Sequence, residues 1–476
     1  VTFLAQLRRR DASPSLVLLV VCAGVVLASL DLFIVNVALP ELADDLDAPL
    51  SSLSWVLNGY AIAFASLLVL FGRLAERRSR ELSFLAGVLL FTLASAACGL
   101  ATSVESLVAF RVVQGAGAAL LTAASLGLVL ATAPEERRHS SVRAWTAVGG
   151  LAAALGPVVG GLLVAVDWRW IFFVNVPIGL AALYVGWRRL PHVPGHPVPR
   201  PDALGAGLLS AGVAGLTLAL VRGEDWGWGS TATLTTLGIS VALLAVFVGH
   251  CMRARNPLVE PELFRAGGFA GSSIVMTLFS MSFGAMLLSL VLWMQDVWGW
   301  SALATGLAIA PGPLMVPLFS FLVAGRLIAR FGPAPVVTAG TAIFAAGLVW
   351  WAAAAQVEPD YVGSLLGGVL VTGVGVGLTL PTLMATAAAS LPPRAFATGS
   401  AVVNMLRQVG VALGVALLVA LLGTPTSSTA ALTAFRTGWL VLAAIALVAA
   451  VVAAVVLRAR AEAPALEVLP TVPPVR

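Results

Sequence analysis

The chain has 476 residues, 59% hydrophobic and only 10% charged, with a mean hydropathy of +1.00. That composition excludes a water-soluble globular domain and points to an all-α polytopic membrane protein. The net charge of +5 rests on arginine alone, because lysine is absent, and gives no sign of nucleic-acid binding. Without lysine there is no G-x-x-x-x-G-K-[ST] phosphate loop, which sets ATP-driven chemistry aside.

Taken in chain order, apolar windows between short polar breaks predict about fourteen membrane helices on the ~20-residue criterion. They lie near 15–40, 54–72, 82–101, 105–132, 142–166, 171–189, 203–221, 231–249, 269–293, 302–324, 335–355, 362–382, 397–421 and 436–457. The arginines test this count. With the N-terminus in the cytoplasm, the inner segments collect Arg8 to Arg10, Arg73, Arg77, Arg78, Arg80, Arg137, Arg138 and Arg143. They also collect Arg188, Arg189, Arg200, Arg253, Arg255, Arg265, Arg326, Arg330, Arg394, Arg458, Arg460 and Arg476. The outer segments hold Arg169, Arg222 and Arg436. A bias of this kind places both termini in the cytoplasm and would vanish if one helix were missed. Trp55, Trp168, Trp170, Trp298 and Trp351 fall near outer ends, as an aromatic belt does. The basic start ahead of an apolar stretch has the look of a signal peptide, but the stretch is too long and reads as a retained first helix.

Residues 1–190 form a predicted first six-helix bundle and 266–460 a second. Between them, 191–265 comprises a proline-rich linker, PHVPGHPVPRPD, and two additional helices. The segment 461–476 reads as a disordered cytoplasmic tail. An internal repeat supports this 6+2+6 order. GRLAERRS at 72–79 and GRLIARFG at 325–332 follow the second and tenth helices on the same side. Gly72, Glu76, Arg77, Gly325, Arg326 and Arg330 are therefore candidate elements of a cytoplasmic gate.

Asp31 is the one carboxylate in the apolar run from Leu16 to Pro40. A charge at that depth costs several kcal/mol (~2.5–3.5 on insertion scales) unless it is paired, hydrated or protonated, and a group that changes charge there suits proton coupling. It lies about nine residues, ~14 Å, from the predicted outer end of its helix; Arg111 lies about six residues, ~9 Å, from the outer end of its own. The two are predicted to meet, either as a titrating pair or as a fixed ion pair between helices. Asn36, Asn58, Tyr60, Gln114 and Gln295 are candidates for a central cavity, or for bonds to neighbouring helices. Asn404, Arg407 and Gln408 share a face of the thirteenth helix. Ala152, Gly156 and Gly160 form a small-residue strip beside Pro157 and Gly161, which by spacing alone predicts close packing. His139, His192, His196 and His250 form no metal-ligand pattern, and no cofactor motif is present.

Several stretches, in order, resemble the major facilitator superfamily and specifically its fourteen-span drug:proton antiporters. These are LDLFIVNVALP at 30–40, the turn at 72–81, RVVQGAGAA at 111–119, ALGPVVGG at 154–161, WRWIFFVNVPIG at 168–179 and NMLRQVG at 404–410. The turn departs from the family pattern at Glu76, Ser79 and Glu81. The resemblance implies a fourteen-helix major facilitator fold and a monomer in the inner membrane. It implies exchange of protons for small amphipathic toxic compounds, with Asp31 coupling, Arg111 tuning it, and Gly156, Pro157, Gly160 and Gly161 as the export-associated motif. A single membrane carboxylate favours neutral or monocationic cargo. The alternative is an exporter or facilitator for one metabolite, such as a self-made antibiotic, a lipid or a sugar.

Overall fold

The computed structural model describes residues 13–195, 200–391 and 395–457, several positions within 135–154 and 396–397 by backbone alone. The predicted tail, Arg8 to Arg10, His196, Arg394, Arg458, Arg460 and Arg476 lie outside the described residues, as do the side chains of Arg137, Arg138, His139 and Arg143.

Fourteen helices run through the described chain. They are α1 Pro14–Leu46, α2 Leu50–Arg77, α3 Arg80–Gly99, α4 Val104–Thr132, α5 Glu135–Val164, α6 Trp170–Arg189 and α7 Ala203–Trp226. They continue with α8 Thr231–Arg253, α9 Gly267–Val297, α10 Ala302–Phe331, α11 Pro333–Ala354, α12 Tyr361–Ala389, α13 Phe396–Leu422 and α14 Ser428–Leu457. Thirteen are long and apolar enough to cross a membrane; in α5 the described apolar stretch is Leu155–Val164. The helix starts carry local capping signals. Ser13, Ser79, Ser103, Asp202, Ser230, Ser301 and Ser427 each accept a hydrogen bond from a backbone N–H in the first turn.

Several helices depart from their expected bounds, α12 running on to Ala389 and α14 starting at Ser428, and two departures are informative. The first helix was expected to stop at Pro40, yet it continues to Leu46, where Asp47 turns left-handed at φ 46°. The polar ELADDL segment carries the helix beyond the apolar stretch. The tenth is interrupted: α-helical pieces Ala302–Ile309 and Pro311–Phe319 are followed by a π turn at Ser320–Ala324. Pro311 and Pro317 remove backbone donors there, which loosens the regular ladder.

Glycine-mediated close approach holds the helices together, since lipid gives no hydrophobic drive between apolar faces. α4 packs against α2 and α3, α12 against α11, α13 against α9, and α5 against α1. At Gly414 on α13 an added Cβ would sit 2.0 Å from the Met281 carbonyl oxygen of α9. α7 and α8 pack unequally. α7 packs on both α2 and α13, whereas α8 leans on α7 and keeps only 17% of its apolar window buried. Asp202 ties this pair to the following linker, accepting from Gly205 N–H at 2.9 Å and Leu258 N–H at 2.8 Å, with the His250 ring at 2.9 Å. Burial would raise the Asp202 carboxyl, but these donors outweigh it and hold it below the usual range.

Gly414→Val should lower the thermal midpoint of the purified protein by the equivalent of about 1–3 kcal/mol of overpacking. Gly325→Val, where nothing stands within 4 Å of an added Cβ, should leave the midpoint unchanged. Equal midpoints for both variants would contradict the close α9–α13 approach.

Candidate functional site

The site begins with Asp31, fifteen residues before the end of α1 and fully buried. Arg111 of α4, also fully buried, donates from Nη1 to its Oδ2. The same Nη1 donates to Gln114 Oε1 at 2.7 Å, and Gln114 Nε2 donates to Asp31 Oδ1 at 2.8 Å. One turn of α4 therefore presents a guanidinium and an amide to one carboxylate. Asn175 of α6 adds a third donor, Nδ2 to Asp31 Oδ1 at 3.1 Å, and also donates to Ser95 Oγ of α3 at 3.1 Å. Ser95 in turn donates to the Phe172 carbonyl at 2.9 Å. Arg111 is held on its other sides by the Val56 carbonyl, which accepts from Nε at 3.0 Å, and by the Tyr60 ring, 4.2 Å from its carbon centre. Tyr60 donates to the Ala28 carbonyl at 3.2 Å. Six helices' worth of separation in sequence thus collapses onto one buried acid.

This arrangement satisfies the rule that a charge survives in a low-dielectric interior only when paired and hydrogen-bonded. It is also incomplete: Arg111 Nη2 and Asn175 Oδ1 are buried without a partner. Asp31 and Arg111 meet as the sequence predicts, whereas Gln114 and Tyr60 bond to the neighbouring helix α1, the second of the two readings given for them. Asn175 was not singled out, although it lies within the quoted WRWIFFVNVPIG stretch; its isolated position after aromatic residues carried no depth signal.

Other candidates fall elsewhere. Asn36 donates to the carbonyls of its own helix, Leu32 and Phe33, at 3.4 Å each. Gln295 of α9 crosses to α1 and donates to the Val37 carbonyl at 3.0 Å. Asn404 donates to the Ser400 carbonyl at 3.0 Å. Asn58, Arg407 Nε and Gln408 Oε1 are buried without partners.

The glycine strip of α5 is wedged between α1 and α10. Added Cβ atoms would lie 2.7 Å from Phe33 Cβ at Gly156, 2.9 Å from the Ile34 carbonyl at Gly160 and 2.5 Å from the Ala302 carbonyl at Gly161. Reciprocally, a Cβ at Gly306 of α10 would meet the Pro157 carbonyl at 2.3 Å. This seam, with the Gln295–Val37 bond, closes the end of the bundle opposite the arginine-rich turns.

At the arginine-rich end, a cavity of ≈ 80 Å³ lies between α2, α4, α5 and α13, lined by Gly72, Glu76, Thr122, Trp145, Ser400 and Asn404. A cavity of ≈ 290 Å³ at the other end is lined by Asp44 of α1 and Asp296 of α9, among apolar side chains. Of the proposed gate residues, Arg77, Arg326 and Arg330 are exposed, and Arg326 donates to the Leu322 carbonyl of its own helix. Different residues lock the turn. Arg73 pairs with Glu260 of the linker before α9, Arg80 donates to the Gly127 carbonyl at 3.3 Å, and buried Glu81 accepts from Val193 N–H at 3.0 Å.

A model of the Major Facilitator Superfamily matches residues 21–414 and again 272–472. The chain belongs to the Major Facilitator Superfamily. This superfamily member is a multi-pass membrane transporter and not an enzyme. It is 37% identical to the tetracenomycin C resistance and export protein of Streptomyces glaucescens over 70% of this chain, which spans 62% of that relative. It is 32% identical to the methylenomycin A resistance protein of Streptomyces coelicolor, over 84% of each chain. It is 34% identical to the cephamycin export protein of Amycolatopsis lactamdurans, over 85% of this chain and 84% of the other. Among solved structures, the POT family transporter PepTSo superimposes with a TM-score of 0.67 at 17% identity, covering 93% of this chain and 98% of that one. That likeness concerns the fold alone.

Removing one partner of the pair should cost more than removing both. Arg111→Gln leaves Asp31 uncompensated and should destabilise the transporter by about 3–5 kcal/mol. Adding Asp31→Asn to it should restore a large part of the thermal midpoint in detergent. A double variant as unstable as the sum of the singles would contradict the paired-charge account.

Proposed function

We propose that the protein exports small amphipathic drugs or antibiotics across the bacterial plasma membrane in exchange for protons. The observation that carries this reading is the buried carboxylate of Asp31, held by Arg111, Gln114 and Asn175 at mid-helix. In the positive-inside orientation the arginine-rich end faces the cytoplasm and both termini lie there. The wedge of α5 between α1 and α10 is then an outer seal, and the cavity beside Gly72 and Asn404 is an inner vestibule.

Neither cavity reaches the middle of the roughly 300–1,000 Å³ range that drug-sized ligands occupy, so cargo enters only when the halves separate. Protonation of Asp31 removes the charge that Arg111 neutralises and weakens the cluster that joins α1, α3, α4 and α6. A proton taken from outside thereby biases one conformation, and its release inside biases the other. The names of the similar proteins, which include resistance and export of single antibiotics, support a drug cargo; they also favour a second reading, a dedicated exporter of one such compound.

Two arms test this. In cells stripped of their own pumps, the wild-type protein should protect against members of a panel of acidic, neutral and cationic antibiotics, and a protonophore should remove the protection. Asp31→Asn, present in the membrane at wild-type level, should lose at least about 90% of the proton-dependent efflux, as expected for removal of an obligatory proton site. Undiminished efflux by that variant rejects the coupling assignment, and protection against one compound alone selects the dedicated exporter.

A further inference from the structure

We propose that Arg407 of α13 is the cargo-recognising charge, and that the favoured cargo is an amphipathic weak acid whose anionic oxygen docks on its guanidinium. This rests on the export reading above and narrows it to a chemical class.

The charges of the membrane interior are unequal in their pairing. Asp31 is consumed: Arg111, Gln114 and Asn175 all donate to it. It has no free face for a cationic cargo. Arg407 is the reverse case. Among the described residues it has no acid partner; its buried Nε makes no hydrogen bond, and the titratable side chain nearest in influence is the neutral phenol of Tyr60. Tyr60 is the same side chain that stacks on Arg111, so Arg407 stands across the seam from the coupling cluster.

Arg407 lies beside the seam between α13 and α2. α13 packs on α2, and the α2 stripe Ala61, Ile62, Ala65 and Val69 shares an apolar cluster with Val402, Met405, Val409 and Ala412 of α13. One turn along that stripe is Asn58, fully buried, with neither amide atom partnered. Gln408 Oε1, beside Arg407 in sequence, is also buried and unpartnered. Unpaired buried donors and acceptors are costly unless another state of the protein supplies their partners. A path to them starts at the arginine-rich end: Ser400 and Asn404 line the cavity there, and Arg407 lies one helical turn farther along the same face. An apolar body bearing one carboxylate, phenolate or enolate fits this combination. The apolar stripe takes the body, Arg407 the anion, and Asn58 or Gln408 a neutral polar group.

The test uses purified full-length protein in lipid nanodiscs. Its probes are dansyl-phenylalanine, the methyl ester of dansyl-phenylalanine, and ethidium, with binding followed by fluorescence. The wild type should bind the acid at least about tenfold tighter than its ester, the difference one charge-assisted hydrogen bond supplies. Arg407→Gln should abolish that preference by weakening the acid alone, and Arg407→Lys should keep part of it. Absence of saturable acid binding to the wild type, equal binding of acid and ester, tightest binding of ethidium, or an acid preference retained in Arg407→Gln would each overturn the proposal. If Arg407→Gln does not fold, the acid-to-ester ratios of the wild type and Arg407→Lys decide. These outcomes separate from failure of the export reading, which is read from proton-dependent efflux in Asp31→Asn.

Discussion

Everything in the amino-terminal half is arranged around one requirement: a carboxylate fully removed from water must be neutralised where it stands. Desolvating such a charge is expensive, and only a close cation with further hydrogen bonds recovers the cost. Arg111 supplies the cation, while Gln114 and Asn175 occupy the remaining oxygen. Because these donors come from α4 and α6, the pair also fixes the relative positions of α1, α4 and α6. Ser95 extends the same network to α3. Neutralising the acid therefore loosens a four-helix junction as well as a single contact, and this gives the proposed proton step mechanical reach.

The scaffold that makes such a junction possible is backbone proximity. The helices approach so closely that side chains are excluded at the contacts, as at Gly156 and Gly161 of α5 or Gly414 of α13. Such seams resist gradual deformation, because there is no soft side chain to compress. They favour rigid-body movement of one group of helices against another. The ladder of α10 is interrupted at Pro311–Phe319 and Ser320–Ala324, beyond the Ala302–Gly306 segment that meets the α5 strip. α7 adds a further constraint by contacting both α2 and α13, and the Arg73–Glu260 pair joins the end of α2 to the segment leading into α9.

The helices were readable because ~20 consecutive apolar residues are demanded by the bilayer and by little else. Asp31 and Arg111 were readable for the same reason, as charges in runs where charges are excluded. Asn175 was not: it is uncharged, follows a tryptophan- and arginine-bearing segment that looks interfacial, and meets Asp31 only through folding across 144 positions. The turn after α2 was legible as a basic hairpin but not in its contacts. Glu260 and His192, which reach it, lie in linkers whose return path no periodicity encodes. The extent of α1 beyond Pro40 was missed because hydropathy marks where lipid ends, and the helix does not end there. Arg407 was readable as a cation within an apolar helix, while the unsatisfied state of its Nε, and of Asn58 across the seam, needed the structure.

The most direct test of the central claim counts protons instead of cargo. Purified transporter in weakly buffered detergent solution, with a pH-sensitive dye, is mixed at about pH 7 with a compound against which it protects cells. If Asp31 is the group that exchanges its proton for cargo, the wild type releases protons on binding and Asp31→Asn binds the compound with no release. Equal proton release from Asp31→Asn would place the coupling elsewhere and contradict the account.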